Sequence, residues 1–154
     1  FLDAYAFSTE GIIGFAIGKR NKKSFLMSVN NSMQLSFFTA LIISFFYLIF
    51  FKEMINIITD VEILRFLSYK HAIWIVIIPP IASFCYQLDG IFIGASQTQD
   101  MRNGMMISVA SFIILSIYTT KYFGNHGLWF SLILFIALRS ITLRYFFKNI
   151  LKKF

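Results

Sequence analysis

The sequence predicts an all-α membrane protein with five transmembrane helices. Three observations favour this class. Of the 154 residues, 58% are hydrophobic and only 14% charged, and the mean hydropathy is +0.73, which is too apolar for a soluble domain. The apolar runs are long and unbroken, whereas an outer-membrane barrel needs short segments of alternating polarity. The formal net charge of +7 is concentrated in short loops, as in cytoplasmic loops of membrane proteins, so a bilayer and not nucleic acid is the expected partner.

The first predicted helix covers residues 1–18. Asp3 and Glu10 are seven positions apart and share one face of this helix, which indicates a polar interior beside it. Gly14 and Gly18 predict the close approach of a neighbouring helix. The segment falls slightly short of the ~20 residues that span a bilayer. It also begins on Phe1 with no preceding loop, so we expect the chain to be a fragment.

The second predicted helix covers residues 33–51 and follows a basic loop at residues 19–23. Its composition is almost purely hydrocarbon, which is typical of a helix that faces lipid. Residues 53–69 carry balanced charges and apolar residues at helical spacing, which predicts an amphipathic segment at the outer surface, with Asp60 as a candidate cap. As an alternative, residues 54–58 extend the second helix.

The third predicted helix, residues 71–96, contains the leading candidate for a working residue. Asp89 lies within an apolar run, and a carboxylate at that depth is costly unless it faces a polar interior. Pro79 and Pro80 lie upstream of it and predict a kink, because each proline lacks a backbone donor. Carbonyl groups freed by such a distortion can help to bind a proton or cation. The alternative is a packing kink without a ligand.

The last two predicted helices cover residues 104–120 and 127–147. The first has no charge and is interpreted as a packing helix. The second contains Arg139, which we expect to extend towards the inner surface, the alternative being a partner for an acid. We interpret His126, in the intervening turn, as structural. Cys85, the single cysteine, is expected to be a buried, inert thiol.

The distribution of basic residues predicts the orientation. Five alternating spans place the loop at residues 19–23, the loop at residues 97–103 and the C-terminal tail on one side. Most of the basic residues fall on that side, which the positive-inside rule assigns to the cytoplasm. The C-terminus is therefore expected to be cytoplasmic.

Three patches give the chain a family resemblance. They are LDAYAFSTEGIIGFAIG at residues 2–18, LDGIFIGASQTQDMRN at residues 88–103, and GNHGLW followed by ALR within residues 124–139. Together they resemble the MATE (multidrug and toxic compound extrusion) family, closest to its DNA-damage-inducible protein F branch. The resemblance implies twelve helices in two six-helix lobes, with this chain supplying helices eight to twelve, most of the C-terminal lobe. The N-terminal lobe would be a missing partner.

The resemblance also implies a function. Members of the family are membrane antiporters that expel small organic, often cationic, compounds in exchange for H⁺ or Na⁺, which points to a bacterial inner membrane. Asp89 matches an acid on helix ten that contributes to a cation site in some members. Asp3 and Glu10 match acids typical of this branch. The substrate cavity is expected at Ser83, Tyr86 and Gln87, and neither an organic cofactor nor a metal site is expected.

Three other functions fit the sequence less well. A flippase for lipid-linked oligosaccharides shares the helix layout, but it would be expected to present Arg and Lys to a pyrophosphate. An intramembrane enzyme would need a nucleophile with a base or a ligand cluster, which Cys85, His71 and His126 do not supply. A purely structural subunit would have little use for acids within its spans.

Overall fold

The computed structural model describes residues 1–154 and contains five α-helices. They are α1 (Leu2–Gly18), α2 (Lys22–Ile58), α3 (Glu62–Gly94), α4 (Thr98–Phe123) and α5 (Asn125–Leu151). The all-α class is thus confirmed. Helices α2 to α5 are long and apolar enough to cross a membrane, whereas α1 has 17 residues. Helices α2 to α5 extend beyond the predicted apolar runs at one or both ends, because polar residues at a membrane surface do not by themselves end a helix.

Helix α3 is the centre of the bundle. It packs against α1, α2 and α5, whereas α4 packs mainly against α5. Only 28 of the 154 residues are buried, and most of the large side chains left exposed are Phe, Ile and Leu. Such a surface is stable against lipid rather than water.

Glycines allow α1 and α3 to approach closely. A Cβ atom added to Gly90 would lie 2.4 Å from the carbonyl oxygen of Ala6, and one added to Gly94 would lie 2.5 Å from that of Glu10. On α1, a Cβ atom added to Gly14 would lie 3.5 Å from the carbonyl oxygen of Gly94. A Cβ atom added to Gly18 would meet nothing within 4 Å. The contact therefore uses the glycine pair of α3 and only one glycine of the predicted pair in α1.

Helices α1 and α3 end in the same type of turn. Arg20 and Ser96 both have a positive φ, 51° and 52° respectively. The next amide in each turn donates back to the third-last helical carbonyl, Asn21 to Ala16 and Gln97 to Phe92. This is the Schellman arrangement, which satisfies carbonyls that a helix end leaves free. Each turn leads directly into the next helix.

The hydrophobic core lies at one end of the bundle. We call this the basic end and define it by the turns at residues 19–21 and 95–97 and by the C-terminal residues 152–154. Here Lys153 also donates a hydrogen bond to the carbonyl of Ala95. The core cluster consists of Ile13, Ala16, Phe25, Val29, Leu88, Ile91, Phe92, Ala95, Leu143, Phe147 and Ile150.

The corner between α2 and α3 replaces the predicted amphipathic segment. Residues 53–58 continue α2 and residues 62–69 belong to α3, so a separate segment at 53–69 is wrong and the alternative extension of the second helix is confirmed. Asp60 does not cap α3, whose N-cap is Val61. Instead Asp60 pairs with Arg65, which also donates to the carbonyls of Thr59 and Asn56. Helical spacing alone could not distinguish a surface helix from two helix ends.

The two prolines do not interrupt α3. The helix runs from Glu62 to Gly94 with Pro79 and Pro80 inside it. Their missing N–H groups deprive the carbonyls of Ile75 and Val76 of their usual partners. Ser83 donates to the carbonyl of Pro80, 2.7 Å away.

A single residue separates α4 from α5. Gly124 has a φ of 55° and a ψ of −136°, a conformation that side chains disfavour. Beyond it, a Cβ atom on Gly127 would lie 2.1 Å from the carbonyl oxygen of Thr119. The Thr119 hydroxyl also lies 2.6 Å from that of Ser131. The tight turn predicted at this position is therefore present and is held by a close α4–α5 contact.

The glycine contact gives a prediction about stability. Replacing Gly90 with Ala should destabilise the protein by about 1–3 kcal/mol, because the new methyl group overlaps the α1 backbone and forces two helices apart. The matched control is Gly11→Ala, since a Cβ atom there meets nothing within 4 Å. Thermal unfolding in detergent would measure both. Equal melting temperatures for the two variants would contradict this account of the α1–α3 contact.

Candidate ion and substrate site

An ion pair between α3 and α5 is the centre of the candidate site. The Arg139 Nη2 atom lies 2.9 Å from both carboxylate oxygens of Asp89. The two side chains are only 14% and 18% exposed, respectively. The expectation that Arg139 extends to the surface is therefore wrong, and the alternative of an acid partner is confirmed. Each charge lowers the cost of burying the other in apolar surroundings.

The other donors of Arg139 have weaker partners. Its Nη1 atom points at the sulfur of Met105 in α4, and its buried Nε atom has no hydrogen-bond partner. A thioether sulfur is a weak acceptor. Asp89 is thus the one strong partner of this guanidinium group.

The ion pair faces a cavity of about 590 Å³ between α1, α2, α3 and α5. We call it the acidic cavity, because the charged side chains in its lining are those of Asp3, Asp89 and Arg139. Its walls are otherwise mainly apolar. They include the aromatic rings of Tyr47, Tyr86 and Phe135, together with Pro79 and Cys85. This volume is within the range of small-molecule sites.

A second cavity lies nearer the basic end. It has a volume of about 780 Å³, and its lining includes Leu88, Ser140 and Arg144. Asp89 follows Leu88 and Arg139 precedes Ser140 in the sequence, and both of these charged residues line the acidic cavity instead. The ion pair therefore lies at the boundary between the two cavities.

The predicted site residues are only partly brought together. Asp3, Asp89 and Tyr86 line the acidic cavity. Glu10 is half-buried and is not among the lining residues, although it lies on the same helix as Asp3. Gln87 and Ser83, predicted for the substrate cavity, are almost completely buried and do not line it either.

Gln87 joins α3 to α1 instead. The hydroxyl of Thr9 donates to Gln87 Oε1 at 2.8 Å, and the Gln87 Nε2 atom has no partner. Nearby on α1, the Tyr5 hydroxyl lies 3.0 Å from the Thr39 hydroxyl of α2. These polar contacts connect the three helices where the chain has little apolar core.

His126, interpreted from the sequence as a structural residue of the turn, lies in the first turn of α5 and makes structural contacts. The indole of Trp74 donates to Nδ1 of His126 at 3.0 Å. The imidazole rings of His71 and His126 lie against each other, with centroids 4.4 Å apart. These contacts hold the start of α5 against α3, away from the acidic cavity.

Comparisons with known proteins identify the family. The sequence model of the MatE family matches residues 1–120. The chain belongs to the MatE family. Among curated proteins it is similar to DNA damage-inducible protein F of Escherichia coli (strain K12), with 36% identity over 142 residues. That alignment covers 92% of this chain but 31% of the relative, so the chain spans about a third of the relative's length. No solved structure matches the chain.

Membership in the MatE family places the chain in a known class. Members of the family are membrane efflux transporters and not enzymes. With its long apolar helices, the chain is part of a membrane-embedded, multi-pass protein. The residues matched by the family model include Asp3, Glu10 and Asp89 but stop before Arg139.

Asp89 and Arg139 carried similar signals in the sequence. Asp89 was identified because an isolated acid in an apolar run is unusual. Arg139 carried the same signal with the opposite sign, but its nearness to Arg144 favoured an extended side chain at the surface. Two isolated opposite charges in different spans were a sufficient reason to pair them, because pairing lowers the cost of burying each one.

The buried pair should show strong coupling in stability. Asp89→Asn or Arg139→Gln alone should destabilise the protein by about 3–5 kcal/mol, because each leaves one buried charge uncompensated. The double variant should lose much less than the sum of the single losses. Thermal unfolding of all four proteins in detergent gives the coupling energy.

The matched control is the pair of Asp60 and Arg65. Its N–O distance is 2.8 Å, but Asp60 is fully exposed, so its cycle should show little coupling. Additive effects at Asp89 and Arg139 would contradict the proposed dependence of each charge on the other.

Proposed function

We propose that this chain forms helices eight to twelve of a twelve-helix MATE-type antiporter, most of its C-terminal six-helix lobe. The protein would export small organic, often cationic, compounds in exchange for H⁺ or Na⁺. Family membership supports the class of transporter. The observation that carries the mechanism is the acidic cavity, in which Asp3 and Asp89 lie on different helices but line the same hollow. An N-terminal lobe would complete the cavity.

The acidic cavity can bind a cation by electrostatic attraction. Asp89 is paired with Arg139, whereas Asp3 is exposed and has no salt-bridge partner. One net negative charge therefore remains among the three ionisable groups. In a site with apolar walls this charge attracts a cation more strongly than it would in water. The aromatic rings of Tyr47 and Tyr86 add favourable contacts with a cation.

Exchange follows from competition at Asp89. A proton or Na⁺ bound there would neutralise the carboxylate and release the guanidinium group of Arg139, which stays charged in proteins. The net charge of the cavity would rise from minus one to zero. An organic cation would then lose its electrostatic attraction and leave. Binding of the coupling ion and binding of the substrate therefore oppose each other, as antiport requires.

The expected location is the bacterial inner membrane with a cytoplasmic C-terminus. In the structure, the turns at residues 19–21 and 95–97 and the C-terminus lie at the same end of the bundle. Nine of the fourteen Lys and Arg residues lie at or near this end, which the positive-inside rule assigns to the cytoplasm. They are Lys19, Arg20, Lys22, Lys23, Arg102, Arg144, Lys148, Lys152 and Lys153.

The flippase alternative receives less support. A pyrophosphate needs free guanidinium or ammonium groups. The guanidinium group of Arg139 in the acidic cavity is already bound to Asp89, and the other charged side chain in the lining is that of Asp3. An anionic headgroup would be repelled by this arrangement.

Transport by the full-length protein tests the proposal. In vesicles loaded with ethidium, a gradient of H⁺ or of Na⁺ should drive efflux, and the effective gradient identifies the coupling ion. Asp89→Asn should reduce this gradient-driven flux at least about tenfold, because the competition between ion and substrate is lost. Asp60→Asn, on the exposed corner, should leave it unchanged.

Both variants must first be shown to reach the vesicle membrane in equal amounts. Gradient-driven ethidium efflux that is the same in Asp89→Asn and in the unmodified protein would remove Asp89 from the mechanism. Uptake or release of a labelled pyrophosphate lipid, without ethidium transport, would favour the flippase instead.

A further inference from the structure

We infer that Arg139 is a specificity-determining residue that limits the acidic cavity to substrates with a single positive charge. This inference rests on the proposed function, because it concerns the substrate of the same site. It goes further in assigning a role to a residue outside the part of the chain that the family model matches. It also names a property of the substrate, its charge.

The charged side chains of the cavity carry one net negative charge. They are the carboxylates of Asp3 and Asp89 and the guanidinium group of Arg139. The pair of Asp89 and Arg139 is neutral as a whole, so Asp3 supplies the uncompensated negative charge. A monovalent cation balances this charge, whereas a divalent cation leaves one positive charge in excess.

Arg139 keeps the Asp89 carboxylate from a second ligand charge. Its guanidinium group lines the same cavity and is held there by Asp89, with both side chains largely buried. A second positive charge on a substrate therefore finds Asp89 already neutralised, and gains no carboxylate partner to offset its loss of hydration in apolar surroundings. Arg139 cannot free Asp89 by losing its proton. Arg139 therefore neutralises Asp89 and leaves Asp3 as the one carboxylate of the cavity that a substrate can neutralise.

The size and lining of the cavity suit a flat organic molecule. About 590 Å³ is enough for a compact polycyclic molecule, and the walls are mostly apolar. Tyr47, Tyr86 and Phe135 offer ring faces to a flat organic cation. Stacking on these rings is the same for two ligands with the same ring system, so the discrimination by number of charges falls to the charged groups.

Two dyes with the same ring system test the inference. Ethidium carries one positive charge and propidium carries two. Their dissociation constants are measured by fluorescence titration on the full-length protein in detergent, without an ion gradient. The quantity of interest is the ratio of the propidium constant to the ethidium constant, because a general loss of folded protein changes both constants together.

Four variants should give a defined pattern of ratios, two of them changed and two close to that of the unmodified protein. Arg139→Gln should lower it about tenfold or more, since the second carboxylate becomes available to the second charge of propidium. Arg139→Lys keeps the positive charge and should leave the ratio close to that of the unmodified protein. The double variant Asp89→Asn with Arg139→Gln restores one net negative charge and should restore the ratio. Asp3→Asn leaves the ion pair intact and should raise the ratio.

Several outcomes would overturn the inference. They are an unchanged ratio in Arg139→Gln, an equal fall in Arg139→Lys, or a double variant that behaves like Arg139→Gln. Should Arg139→Gln fail to fold, the inference is tested with the double variant and Asp3→Asn. An unchanged ratio in Asp3→Asn would then contradict it. The absence of binding of both dyes to the unmodified protein also counts against it.

The two proposals can fail separately. The dye ratio reports on charge recognition at equilibrium, whereas gradient-driven efflux reports on exchange. The expected ratios without any gradient-driven flux would support the role of Arg139 and reject antiport. Gradient-driven flux with an unchanged ratio in Arg139→Gln would support antiport and reject the role of Arg139.

Discussion

The burial of opposite charges within apolar helices is the constraint on which the site depends. Asp89 in α3 and Arg139 in α5 are each costly to place in hydrocarbon, and their contact at 2.9 Å offsets much of that cost. The pair fixes the rotation of both helices, because each charged side chain must face the other. It also makes the cavity beside it polar, so that one interaction links the packing of the bundle to the chemistry of its interior.

Most of the architecture could be predicted because hydrophobic composition and turn residues act locally. The helix-length apolar runs predicted five helices with a short turn between the last two, and the structure contains both. The helix bounds were less accurate, since hydropathy marks the part of a helix in lipid and not its hydrogen-bonded ends. Residues 53–69 were misinterpreted for this reason, because α2 and α3 both continue past their apolar parts.

The site was harder to predict, because it depends on which faces of distant helices meet. An unusual acid in an apolar run identified Asp89, but the sequence did not decide whether Arg139, 50 positions later, would reach an acid or extend to the surface. The same limit applies to Gln87, which is next to residues that line the cavity and yet faces Thr9 of α1. A rotation of about 100° per residue separates neighbours on a helix, so adjacent positions point in different directions.

The position of the hydrophobic core has a consequence for motion. The core cluster and both Schellman turns lie at the basic end, whereas the acidic cavity extends towards the opposite end, where few side chains are buried. Helices fastened at one end diverge most at the other, since a small change of angle produces a displacement that grows with distance. Breathing of the bundle would thus widen the mouth of the cavity while its base stays fixed, and would do so without separating any residue of the core.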